Sequence, residues 1–292
     1  MPKLRGYFPI MPTPYLEDGQ VDLESVRRLV EYLIANGAQG MSPNGGDSEA
    51  RYLSAEERMR ICDVVMETNA GRTPVLVGTT AHEVEEAALL TRYAERCGAD
   101  AVFVMPAWEA HEMSREEMLA RYETICEGTD IPVMVHARPN MDVAFMEALL
   151  ERRPQVQYIK EETTFGPKLR EYVRALGERV TIFGPGLHYP AELAWGAQGV
   201  MPSCCAPHSH ARIYELWQAG QHREARRLWN RMLPLVFWRW HTAAQEAGKL
   251  YLQELGIFGT RYVRPDHGTL QLDEADRQEM LTILETMGGP PY

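Results

Sequence analysis

The residue in this chain best suited to covalent chemistry is a lysine that closes an apolar run. Residues 156–163 read V-Q-Y-I-K-E-E-T. At the two-residue period of a strand, Val156, Tyr158 and Lys160 share one face, while Gln157, Ile159 and Glu161 share the other. Burying an ammonium without a partner is costly. The same burial favours the neutral amine, which can attack a carbonyl and form a Schiff base. Most lysines at strand ends are solvated and inert, so the assignment depends on which strand this is and what stands beside it. A second candidate is His136, at the end of the run I-P-V-M-V-H. An imidazole beside a desolvated amine can shuttle the protons that imine formation requires.

The elements that must position these groups follow a regular alternation. Short apolar runs at 6–13, 40–44, 74–80, 101–107, 132–137, 155–161, 180–185 and 199–203 read as strands. Each precedes a segment of helical character: 21–37, 54–71, 81–97, a helix from Ser114, 146–153, 167–176, 190–197 and 209–219. Gly37 and Gly98 read as helix stops, and Ser54-Ala55-Glu56-Glu57 as a capping box. Eight strand–helix units in about 215 residues predict a (β/α)8 TIM barrel. Past Gly220 the alternation stops, and 221–242, 243–255 and 273–287 read as helices. The expected organisation is a barrel over 1–220 and a C-terminal helical extension over 221–292, packed on the barrel because no Gly-, Ser- or Pro-rich linker separates them.

Composition narrows the class. Apolar residues make up 45% of the 292 and charged residues 24%, and the net charge is −11. That balance suits a globular enzyme and argues against a nucleic-acid partner. No apolar run is long enough to span a bilayer, and positions 1–20 lack the apolar core of a signal peptide. The five scattered cysteines (Cys62, Cys97, Cys126, Cys204 and Cys205) do not form a disulfide framework, so the expected compartment is the cytoplasm.

Barrel enzymes carry their chemistry at the C-terminal ends of the strands. That rule gathers Pro12 and Thr13; Gly45, Gly46, Asp47, Ser48 and Glu49; Thr79 and Thr80; Trp108 and Glu109; His136 and Arg138; Lys160 and Thr163; Gly184, Pro185 and Gly186; and Ser203, Cys204 and Cys205. Lys160 and His136 fall on adjacent strands about 4.8 Å apart, close enough to touch if both point inward.

In order along the chain, FPIMPTPY…DG, GGDSE with L-S-A-E-E-R, PVLVGTT, GADAVFVMPA, IPVMVHARP, YIKEET, GAQGVMPS and R-Y-V-R-P resemble the dihydrodipicolinate synthase and N-acetylneuraminate lyase superfamily. The resemblance implies a Schiff-base barrel acting on a small 2-keto acid, with no cofactor and no metal. It also implies a homo-oligomer, expected to be a tetramer, and it places Lys160 where that family's imine-forming lysine stands. It further implies that the 45–49 turn binds the substrate carboxylate. The family's two hydroxyl residues are here Gly46 and Asp47, leaving Ser48 and backbone N–H groups to do the binding. The family's tyrosine on the strand-5 motif is His136, and the synthases' arginine after that motif's proline is absent, with Asn140 in its place. These departures argue against a dihydrodipicolinate synthase. They look closest to 2-keto-3-deoxy-sugar-acid dehydratases of the keto-deoxyarabonate kind, with dehydration and aldol cleavage both open.

The expected substrate-binding set is Ser48, Asp47, Gly46, Thr163, Gly186 and Ser203. Asp47 would hold a substrate hydroxyl or cap the turn, and Thr163 would line the site or cap the following helix. Glu49 would buttress the turn. Trp108 would close the site or meet a neighbouring subunit. The cluster from Cys204 to His210 invites a metal reading, but its spacing fits no zinc pattern. Trp238, Arg239, Trp240 and His241 read as helix packing or an oligomer contact. A barrel that only binds a small acid is the non-enzymatic alternative, and the altered turn is its best support.

Overall fold

The computed structural model describes residues 4–164, 166–242, 244–264 and 271–288. Phe165 of the loop after the lysine strand, Ala243 of the appended helices and Pro265 of the tail motif lie outside the described residues.

Seven parallel strands form one curled sheet: β1 (Gly6–Tyr7), β2 (Leu76–Gly78), β3 (Ala101–Val104), β4 (Val133–His136), β5 (Val156–Lys160), β6 (Thr181–Gly184) and β7 (Gly199–Val200). Their order is β1-β7-β6-β5-β4-β3-β2. Helices cover the outside: α1 (Leu23–Ala35), α2 (Ala55–Asn69), α3 (Val84–Arg96), α4 (Arg115–Ile125), α5 (Val143–Arg152), α6 (Pro167–Leu176), α7 (Tyr189–Ala194) and α8 (Pro207–Gln218). The capping box expected at Ser54 is formed with Glu57, and a second joins Ser114 to Glu117.

The strand expected over 40–44 is not one. Pro43 has no N–H to donate, and only Met41 and Ser42 bridge to their neighbours. Those bridges nevertheless span the gap between the sheet's ends. Leu76 N–H donates to the Met41 carbonyl at 2.9 Å, and Met11 N–H donates to the Ser42 carbonyl at 3.0 Å. Gly40 is required there, because a Cβ would lie 2.1 Å from the Phe8 ring.

Alternation along the strands builds two apolar layers. Phe8, Ile10, Leu76, Phe103, Met134, Tyr158, Phe183 and Met201 fill the inside of the curl. Val135, Ile159 and Ile182 face the helices. Each fully buried side chain of this size contributes roughly 1.5–3 kcal/mol. Two residues beyond Met134 and Tyr158 on the same inner face come His136 and Lys160, which are register partners across β4 and β5.

Three more helices follow: α9 (His222–His241), α10 (Ala244–Glu254) and α11 (Glu274–Thr286). They are tied to the 45–49 turn by two ion pairs, Arg239 of α9 with Asp47 and Lys249 of α10 with Glu49. No described helix is long and apolar enough to cross a membrane.

Candidate active site

A cavity of about 270 Å3 opens at the carboxyl ends of the strands, lined by Lys160, His136, Glu162, Gly46, Asp47, Gly186, Ser203, Arg239, Trp240 and others. A larger hollow of about 710 Å3 runs beside α9 against Leu233, Phe237 and Trp240, but it is apolar and does not reach Lys160.

Lys160 is 5% exposed. It is not the unpaired amine that its strand position suggested, because Glu162 supplies the partner. The Lys160 Nζ lies 2.8 Å from Glu162 Oε2, and His136 Nε2 lies 2.7 Å from Glu162 Oε1. One carboxylate therefore bridges amine and imidazole, one oxygen to each. Burial pushes the Glu162 carboxyl up, but Lys160 and His136 together outweigh it and hold the group well below the usual carboxylate range. For His136 burial pulls the imidazole down, Glu162 pulls it up, and burial prevails, so its pKa lies below the ordinary 6.5. Glu162 stands where it does because of its neighbour. The buried Glu161 carboxylate accepts N–H bonds from Thr163 (2.7 Å) and Thr164 (3.3 Å), folding the loop back over the strand end.

The sign for His136 is definite. Its folded-state pKa is depressed, so the unfolded chain takes up the proton first. The stability this group contributes is present above 6.5 and is lost as pH falls through the folded value. An NMR titration of the folded protein should give His136 a midpoint below 6.5. A midpoint above it would mean that the pull of Glu162 exceeds desolvation.

The other expected site residues divide. Gly46, Asp47, Gly186 and Ser203 do line the cavity. Gly186 has φ +80°, and a Cβ there would meet Pro202 at 2.8 Å, so glycine is needed. Ser48 and Thr163 are not among the lining residues. The Ser48 hydroxyl accepts Gly45 N–H at 2.8 Å and donates to the Met11 carbonyl at 2.5 Å. The Thr163 hydroxyl donates to Glu161. Each hydroxyl answers a local backbone or carboxylate group. Thr79 accepts from the Thr91 hydroxyl and Thr80 from Met105 N–H. His210 is buried and stacked on Tyr7 with ring centroids 4.8 Å apart. Among the described residues no group of three or more His, Cys, Asp or Glu is placed to hold a metal ion.

Glu162, Arg239 and Trp240 are among the cavity residues that sequence reasoning missed. The run W-R-W on an amphipathic helix reads as packing or an oligomer contact, yet Arg239 follows Met232 and Leu235 along the buried stripe of α9. An arginine on a buried stripe was the available signal.

A cavity ringed by titratable groups at the carboxyl ends of a parallel sheet defines an enzyme of the α/β class. Comparison with known proteins specifies which. The model of the Dihydrodipicolinate synthetase family matches residues 3–287. The chain belongs to that family and is a lyase. It is 29% identical to an L-2-keto-3-deoxyarabonate dehydratase of Azospirillum brasilense, covering 97% of this chain and 94% of the relative. It is 31% identical to a 4-hydroxy-tetrahydrodipicolinate synthase of Pelobacter propionicus, over 77% of this chain and 79% of that one. The fold matches the dihydrodipicolinate synthase of Aquifex aeolicus with a TM-score of 0.90 at 22% identity, covering 98% of this chain and 99% of the other. It also matches a prophage protein of the same family from E. coli K12, solved with pyruvate, with a TM-score of 0.90 at 22% identity, covering 97% and 98%.

Proposed function

We propose that the protein dehydrates a 2-keto-3-deoxy sugar acid through a Schiff base on Lys160. The observation that carries this reading is the Lys160–Glu162–His136 relay lining the cavity, with Lys160 and His136 buried and Glu162 half-buried between them. One relative that matches over almost the full length of both chains is a dehydratase of such an acid, at 29% identity, against 26% for a synthase matched over a similar length. Asn140 stands where the synthases place an arginine, which favours the dehydratase over the synthase.

The chemistry balances on the chain's own groups. Lys160 passes a proton to Glu162, and the neutral His136 beside that carboxylate relays it to the ketone oxygen as the amine adds. The free amine adds to the C2 ketone, and loss of the ketone oxygen as water leaves an iminium. That cation acidifies C3, and Glu162, already in contact with the nitrogen, takes the C3 proton. The electron pair left behind forms an enamine, which expels the C4 hydroxyl. The hydroxyl departs as water with the proton Glu162 had taken. Hydrolysis of the imine returns the amine. A retro-aldol cut between C3 and C4 starts from the same iminium, with the C4 hydroxyl rather than C3 giving up the proton, so the product decides between the two.

The reading extends to architecture. Met41 and Ser42 act as the missing strand, closing the seven into a (β/α)8 barrel over 1–220, with 221–292 as its extension. The five free cysteines support a reducing cytoplasm. The exposed Leu233, Phe237 and Trp240 of α9 support association into a homo-oligomer, in line with the expected tetramer.

Incubation of the purified protein with L-2-keto-3-deoxyarabonate and product analysis by mass spectrometry tests the reaction. A product lighter by one water is expected. Release of pyruvate and an aldehyde makes the protein an aldolase, and an untouched substrate removes this sugar acid from the account.

A further inference from the structure

The cavity's charges leave an incoming carboxylate one cationic partner. Among the lining residues the cations are Lys160 and Arg239. Lys160 is consumed as the imine and already faces Glu162. His136 is held neutral by burial. The turn that would otherwise receive the carboxylate offers no hydroxyl to the cavity: Gly46 has none, Asp47 is itself an anion, and Ser48 is bonded to backbone. A carboxylate left unpaired in such a site would be strongly disfavoured.

Arg239 answers that need. It is 7% exposed, and its Nη2 donates to Asp47 Oδ2 at 2.5 Å. A guanidinium has five N–H donors. No other hydrogen bond of Arg239 is formed among the described residues, and its Nε is buried without a partner while the side chain lines the cavity. Space is provided on both sides. A Cβ at Gly248 would come within 3.3 Å of Nε, so glycine admits the guanidinium from α10, and a Cβ at Gly46 would meet nothing within 4 Å. We propose that Arg239, delivered by an appended helix, anchors the substrate carboxylate above Gly46, and that Asp47 orients the guanidinium while moderating its pull. The planar fork of arginine suits a carboxylate better than a lone ammonium does. The extension thus completes the substrate site and gives preference for acids over neutral carbonyls. The inference rests on the 2-keto-acid reading above.

The test compares pyruvate with its neutral methyl ester in borohydride trapping of Lys160, reading half-saturating concentrations. Wild type should prefer the acid. Arg239→Gln should raise the value for pyruvate at least about tenfold, the order expected for a lost charge-assisted bond, with little change for the ester, and Arg239→Lys should recover part of the loss. Asp47→Asn should lower the value for pyruvate, because it removes the opposing charge and keeps an acceptor for Nη2. If Arg239→Gln weakens acid and ester in parallel, or neither, Arg239 serves only to hold the turn and the inference fails. Asp47→Asn loosening pyruvate also overturns it, and this variant decides the matter if Arg239→Gln does not fold. A wild type that traps neither compound refutes the 2-keto-acid reading itself, and that result is distinguishable because it needs no variant.

Discussion

Glu162→Gln should lower kcat by roughly a hundred- to ten-thousand-fold, the span expected for a lost general acid–base group, while the folded protein persists. The substitution keeps shape and hydrogen-bonding reach but removes the one group in contact with both Lys160 and His136. Two consequences add. The amide cannot accept the lysine's proton or the C3 proton, and Lys160 is left a buried ammonium with no counter-charge. The loss should appear in kcat more than in KM, because the carboxylate acts on the reacting atoms rather than on the substrate's remote groups. Steady-state kinetics beside a melting curve check it. A variant with near-normal kcat would assign the proton transfers to His136 alone.

Lys249→Met should destabilise the protein by about 3–5 kcal/mol, the usual cost of breaking a buried ion pair on one side. Lys249 and Glu49 are both fully buried. Burial pulls the Lys249 ammonium down to about 8 even with Glu49 beside it. Lys249 also donates to the Tyr262 carbonyl at 2.9 Å and lies 4.3 Å from the centre of the Tyr15 ring. Methionine fills a similar volume but removes the cation beside a buried carboxylate. Glu49 is held at φ 58°, a left-handed conformation that is costly for a residue with a side chain. Loss of Lys249 therefore loosens the turn that carries Gly46 and Asp47. Denaturant unfolding measures the cost, and Glu49→Gln added to Lys249→Met should return part of it. An unchanged midpoint would show that the pair contributes no net stability.

Lys160 and His136 were legible because two local rules sufficed. The period of two put them on the inner face with Tyr158 and Met134, and their positions at strand ends put them at the cavity. Seven of the expected strands were legible from the alternation, while Pro43 leaves the run over 40–44 as isolated bridges. Glu162 was not legible, since the strand period stops at Lys160 and a loop residue's direction depends on how Glu161 folds the loop. The partners of the Ser48 and Thr163 hydroxyls were not legible, because they are backbone and carboxylate groups that only the folded loops bring near. Arg239 and Lys249 reach Asp47 and Glu49 across almost 200 residues of chain. Such contacts are fixed by the docking of whole helices, and no local pattern encodes them.

The account stands on one covalent bond. Borohydride added to the protein in the presence of a 2-keto acid, followed by digestion and mass spectrometry of the peptides, should find the reduced adduct on Lys160, with Lys160→Ala neither labelled nor active. Full turnover by Lys160→Ala, or an adduct on a different lysine, would contradict it.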